Sequence, residues 1–189
     1  MVNWLNVASK LTATVLLVVG ALLVIHASWL PAKAWLSQQL IQYSWQQSMA
    51  AHEKSAVQNQ GKLLGQGQLN PIAIKPWPWA DTFPIAELTF QRLDKSIVVL
   101  NGGDPTTLAF SAGAIAPFNQ PHVTKPFVVA GHRDSHFAFL QDIAMKDVIS
   151  LIDTKGKKQL YQVENIAIVD AAIGQLALLA GEQSLVLIT

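Results

Sequence analysis

The stretch Phe127 to Leu140, FVVAGHRDSHFAFL, holds the densest group of side chains able to do chemistry. A run of apolar residues stops at Gly131. His132, Arg133, Asp134, Ser135 and His136 follow, and then the chain turns apolar again. An imidazole just past a strand end, with a polar flank, meets solvent and substrate. Such a group suits proton transfer near neutral pH. Gly131 beside it leaves room for the close approach of a ligand. His132 is therefore the candidate acid–base residue. The bland alternative is a histidine that caps a strand and packs under a loop.

Other chemistries are less well served. His132 and His136 are four apart, as in a helical two-histidine metal site. The pattern is not His-Glu-x-x-His, because Arg133 stands where the glutamate belongs. A cation beside the ligands weakens such a site electrostatically. A third ligand would have to be His122, Asp134 or a remote group, so no metal is assigned. No Gly-x-Ser-x-Gly elbow surrounds Ser111 or Ser135. Asp142, Asp147 and Asp153 are spaced like surface carboxylates, and nothing in their spacing makes a calcium loop. The chain has no cysteine. Disulfides, thiolate metal sites and a thiol nucleophile within these residues are thereby excluded. His132 is left as a proton-transfer group with no evident nucleophile to serve, and no cofactor is called for. Asp134 and His136 either orient its loop or are simply solvated.

The elements that must position His132 follow Pro71. IAELTFQRL (85–93) alternates in part, and SIVVLN (96–101) follows the turn residues Asp94 and Lys95. NGGDP (101–105) is a strong turn signal. TTLAFSAGAI (106–115) reads as a short helix or irregular crossover, FVVAG (127–131) as a buried strand, and HFAFLQDI (136–143) as one or two helical turns. DVISLID and KQLYQVENIAIVD flank Thr154-Lys155-Gly156-Lys157, a hairpin signature. AAIGQLALLAG (171–181) predicts a short helix ending at Gly181. SLVLIT (184–189) is a strand apolar on both faces, which suits the centre of a sheet or a barrel wall. Many short strands with few long helices predict a mainly β domain, a sandwich or barrel. Because an apolar strand edge is normally covered, further residues are expected after Thr189. Trp77 and Trp79, in KPWPWAD, are read as packing residues rather than a peptide grip.

Hydropathy is concentrated at the other end. Only 13% of the 189 residues are charged, against about a quarter in ordinary soluble domains. LTATVLLVVGALLVIHASWL (11–30) carries no Asp, Glu, Lys or Arg. Twenty helical residues span about 30 Å, a bilayer core. Trp4 and Trp29 flank it as interfacial aromatics, and His26 is read as interfacial rather than functional. Residues 1–10 are expected on the cytoplasmic side and 11–30 as a transmembrane anchor. Lys10 and Lys33 barely orient it, and the shortness of the preceding segment favours the inside. The rival is a cleaved signal peptide with Ala32-Lys33-Ala34 as the small-x-small site, although the apolar run exceeds the ~7–15 residues of a signal core. Either way the remainder is exported. Residues 31–70 predict a stalk helix and a linker: Pro31 suits a helix start, and Trp35, Leu36, Gln39, Leu40 and Tyr43 share one helical face. HEKSAVQNQGKLLGQGQLN (52–70) is polar and reads as linker. A net charge of +1 argues against a nucleic-acid partner.

VVAGHRDSHFAFLQDI resembles the histidine segment of the sortases, and SLVLIT resembles the start of their next signature strand, Thr-Leu-x-Thr-Cys. PWPWADTFPIAELTFQRL and AGHRDSHF are most similar to the class GN sortases of Gram-negative bacteria. The resemblance covers about residues 70–189, and the N-terminal anchor accords with it. It implies that 71–189 is a truncated sortase-like barrel, of eight strands in the family. It also implies a cysteine transpeptidase that cleaves an LPxTG-like sorting signal and passes the acyl group to an amine. Only His132 carries over as catalytic. Thr189 aligns with the threonine before the cysteine, so the cysteine and the arginine fall beyond these residues, and Arg133 is not that arginine. The chain as given is then expected to be inactive. The implied partners are a protein bearing a sorting signal and the membrane, with the domain on the outer, periplasmic face. The alternative is a membrane-anchored β-barrel binding module without chemistry.

Overall fold

The computed structural model describes residues 4–60, 73–169 and 183–189. These form two compact units, Met1–Ser37 and Gln38–Thr189. The first is helical. It contains the apolar part of α1 (Trp4–Gln60), in which an 18-residue window reaches a mean hydropathy of 2.2, long and apolar enough to cross a membrane. Lys33 lies over the Trp29 ring at 4.9 Å. Pro31, expected at a helix start, sits inside α1 instead. It removes one backbone hydrogen bond, and the helical residues on either side outnumber that loss.

The second unit is built on one sheet. Its strands are β1 (Pro84–Phe90), β2 (Lys95–Asn101), β3 (Ala112–Ala114), β4 (Phe127–Ala130), β5 (Val148–Asp153), β6 (Lys158–Gln162) and β7 (Leu185–Ile188). The spatial order is β6-β5-β1-β2-β3-β4-β7. This is a curled half-barrel of seven strands among the described residues, preceded by a long apolar helix. The pairings β2–β3 and β4–β7 are parallel and the rest antiparallel. β1 alternates buried and half-buried residues, which points Ala86, Leu88 and Phe90 to one face. There they meet Val99, Phe127, Val129, Phe137, Ile149 and Leu151 in the main core.

The other face of β2 is covered as well. Val98 and Leu100 pack with Ile41 and Trp45 of α1 in a second apolar cluster. The helix does not stop near Ser48 or give way to a linker at His52, as the polar composition predicts; it runs to Gln60. Its seated face is Ile41, Ser44, Trp45, Ser48 and His52, all buried. The face predicted from Trp35, Leu36 and Tyr43 is exposed instead. Small serines let the helix approach the sheet, and their hydroxyls are satisfied by Ile74 O at 2.5 Å and Ser44 O at 2.9 Å. Composition did not reveal this because a serine-bearing face reads as polar. Ile41 is 1% exposed, so Ile41→Ala is expected to cost about 2–5 kcal/mol, measurable as a drop in the urea midpoint of the full chain.

The connections follow their turn residues. Asp104 caps α2 (Pro105–Phe110), accepting from the Thr106 and Thr107 amides at 3.0 Å and from Thr107 Oγ1 at 2.6 Å. These donors lower its pKa below the ordinary carboxylate value. Gly156 takes φ +76° in the β5–β6 hairpin, where Asp153 Oδ1 accepts from the Lys155 and Lys157 amides. TTLAFSAGAI divides into α2 and β3, HFAFLQDI contains a 3₁₀ turn, Ala138–Asp142, and β6 ends at Gln162, shorter than the strand predicted. The helix predicted over 171–181 lies outside the described residues.

Arg92 and Asp147 clamp the β1–β2 turn to the start of β5. Arg92 Nε is 2.6 Å from Asp147 Oδ1 and its Nη2 is 2.7 Å from Oδ2; Nη2 also donates to Asp142 O. The guanidinium holds the Asp147 carboxyl below the usual range, helped by the Ala144 amide. A lowered folded pKa contributes stability above the unfolded value of about 3.9 and loses it as pH falls through the folded value. The stability gap between the wild type and Asp147→Asn is therefore expected to shrink as pH falls from about 5 through the lowered folded value, read by thermal melts. A gap that stays constant across that window contradicts the clamp.

Candidate functional site

Four buried residues, Phe127 to Ala130, deliver the chain to Gly131 and His132. Their burial explains the unbroken apolar run: β4 lies between β3 and β7 and presents side chains to covered surfaces on both sides. Past Gly131 the chain leaves the sheet. His132 O accepts from Ser135 N at 3.3 Å and from Phe137 N at 2.9 Å. This turn exposes His132, Arg133, Asp134 and Ser135. The His132 ring makes no hydrogen bond among the described residues.

Gly131 was expected to admit a ligand. The space a Cβ would occupy is instead filled by the Phe137 ring, 2.8 Å from that position. The glycine is required by internal packing. Phe137, 1% exposed, was not singled out in the sequence. The apolar spacing Phe137, Phe139, Leu140 was its only signal.

The strand beside His132 is β7. Phe127 to Ala130 pair in parallel with Leu185 to Ile188, in register, and Gly131 N donates to Ile188 O at 3.0 Å. The residue after Ile188 is therefore level with Gly131, one strand spacing of about 4.8 Å away. Thr189 and His132 leave the same end of neighbouring parallel strands. β7 was expected at the centre of a sheet or in a barrel wall. It pairs with β4 on one side and with no strand on the other among the described residues, and Ile188 is exposed.

The remaining candidates disperse. His136 is half-buried with Nε2 3.3 Å from Ala109 O. With Gln38, Gln42, Lys95, Ser135 and Phe139 it lines a cleft of about 410 Å³, which His132 does not line. His122, at φ +62°, has Nδ1 2.9 Å from Gln159 Oε1 and Nε2 3.5 Å from Asp153 Oδ2. Its side chain is buried and remote in sequence from the turn. Ser111 is buried and donates to Val98 O at 2.6 Å, a structural bond rather than a nucleophile's. Trp77 packs edge-to-face on Phe110 at 4.8 Å, whereas Trp79 is 79% exposed. Asp142, Asp147 and Asp153 do not converge: the first two lie at the Arg92 clamp and the third in the hairpin. No group of three or more metal-ligating side chains occurs among the described residues.

A sortase-domain model matches residues 88–189, more than half of the chain. The chain belongs to the sortase family. Among solved structures, sortase A of Corynebacterium diphtheriae, as a lid mutant, is 17% identical, with a TM-score of 0.51 over 84% of this chain and 86% of that one. The sortase D5 transpeptidase of Clostridium perfringens is 13% identical, with a TM-score of 0.48 over 67% and 73%. Sortase C1 of Streptococcus agalactiae is 22% identical, with a TM-score of 0.47 over 56% of this chain; the chain spans 61% of its length. Likeness at these identities speaks to fold alone. No curated protein sequence matches the chain. The sortase fold is present, and the family's cysteine nucleophile is absent from these 189 residues.

Proposed function

We propose that this sortase-family chain supplies the substrate-bearing sheet and the acid–base histidine, His132, of a membrane-anchored transpeptidase. The observation that carries this reading is the parallel, in-register pairing of β4 with β7, which brings the end of β7 beside the His132 turn. A thiol on the residue following Thr189 would emerge next to the imidazole. In the proposed reaction the thiolate attacks the threonine carbonyl of an LPxTG-like sorting signal. The Thr–Gly C–N bond breaks, and His132 gives its proton to the departing amine. An incoming amine or water, deprotonated by His132, then attacks the thioester and returns the thiolate. The arginine that steadies the substrate in the family has no counterpart in Arg133, which is exposed on the His132 turn. The class GN assignment rests on PWPWADTFPIAELTFQRL and AGHRDSHF. The apolar helix supports an anchor, with residues 50–189 on the outer face and a protein bearing a sorting signal as partner.

Without a thiol no acyl-enzyme forms, so the 189-residue chain is expected to give no adduct with any sorting peptide. A chain extended past Thr189 by a cysteine and an arginine-bearing strand is expected to gain the mass of the acyl fragment on incubation with an LPxTG-like peptide. Intact-mass spectrometry checks both. If the extended chain stays unmodified but still binds the peptide, the protein is a binding module that keeps the sortase fold without the chemistry.

A further inference from the structure

Among the described residues the exposed His132 ring makes no hydrogen bond, so the backbone that carries it is what aims it. What fixes that backbone is visible around Phe137. Its amide donates to His132 O at 2.9 Å, closing the turn that contains every polar residue of the segment. Its ring covers Gly131, the residue next to His132. A Cβ there would stand 2.8 Å from Cδ2, 2.9 Å from Cγ and 3.1 Å from Cε2. The ring is itself held. Phe139 meets it edge-on at 6.2 Å, and Phe90 of β1 meets Phe139 at 4.7 Å. One residue thus holds the chain on both sides of His132: its backbone amide closes the turn onto the His132 carbonyl, and its ring seats on Gly131.

We infer that Phe137, seated on Gly131, is the positioning residue of His132. The inference deepens the proposed function and rests on it for its catalytic part. Because a misplacement of about 1 Å can cost about a hundredfold in rate, loosening this grip acts on the chemical step rather than on substrate binding. Phe137→Leu keeps an apolar side chain in the core but gives up the ring over Gly131 and its edge contact with Phe139. Phe90→Leu is the control. It removes a ring that meets Phe139 rather than Phe137 in the ring contacts.

The test has two arms. In the 189-residue chain, reconstituted in nanodiscs and labelled at the histidine rings, Phe137→Leu is expected to move the His132 Cε1–H resonance toward its random-coil position. The buried His122 resonance stays in place, and Phe90→Leu leaves His132 unchanged. In the cysteine-extended chain, Phe137→Leu is expected to lower kcat at least tenfold with KM within twofold, and Phe137→Met recovers part of the loss. An unmoved His132 resonance in Phe137→Leu overturns the inference. So does an equal fall in kcat for Phe90→Leu and Phe137→Leu, which marks a stability effect alone. If the extended wild type forms no adduct, the transpeptidase reading fails, while the resonance arm still decides whether Phe137 holds the turn.

Discussion

His132→Ala, introduced into a chain extended by a cysteine after Thr189, is expected to lower the rate of acyl transfer by about 10²–10⁴-fold. The physical reason is the leaving group. An amine expelled from a peptide bond must be protonated as the C–N bond breaks, and in the proposed reaction the acid is the exposed His132 ring. In the proposed second step the same ring takes a proton from the attacking amine, so its loss is expected to slow both halves of the reaction. His136→Ala is expected to cost less than about tenfold. Its Nε2 makes one long contact with Ala109 O, and the turn is closed by the Ser135 and Phe137 amides instead. Single-turnover adduct formation followed by mass spectrometry separates the two variants. Equal losses in both, together with silencing by a chelator, would restore the two-histidine metal reading. Equal losses without chelator sensitivity would place both histidines in the turn's geometry and remove His132's special role.

A large effect on folding is expected from Gly113→Ala. Gly113 lies in the three-residue strand β3, opposite Leu100 of β2 and Ala130 of β4. A Cβ at this position would stand 2.0 Å from Gly102 O and 3.2 Å from Leu108 Cδ2. The first clash is with backbone, and Gly102 cannot easily retreat. Its amide donates to Ala114 O at 3.2 Å, and its φ of +119° is available only to glycine at low cost. Relief requires parting β3 from the segment that crosses it, in the middle of the sheet. Overpacking commonly costs about 1–3 kcal/mol, and more where backbone must move, so about 3 kcal/mol or more is expected. Urea titration of the full chain checks it. By contrast Gly20, with no atom near its missing Cβ, is expected to tolerate alanine, and a comparable loss there would break the argument from crowding.

Reading along the chain recovers the parts whose causes are local. An uncharged run long enough to cross a bilayer announces itself by composition. The hairpin at Lys155-Gly156 and the cap at Asp104 follow from turn chemistry. Phe127 to Ala130 are apolar without alternation because both faces of β4 are covered, and the polar group after Gly131 marks the point where the chain leaves the sheet. VVAGHRDSHFAFLQDI, taken with SLVLIT, pointed to the sortase family, which the match over residues 88–189 shows.

What tertiary structure decided depends on residues distant in sequence. Residues 31–48 were read as a stalk helix with Trp35, Leu36, Gln39, Leu40 and Tyr43 on one face, and 52–70 as linker because they are polar; Val98 and Leu100, distant in sequence, make Ile41 and Trp45 the seated face instead. Gly131 was read as room for a ligand, whereas six residues later Phe137 occupies that room. The parallel partnership of β4 and β7 spans more than fifty residues, and no local pattern specifies which strand neighbours which. It is that long-range pairing, made by backbone hydrogen bonds, that sets Thr189 level with Gly131 and beside the turn that carries His132.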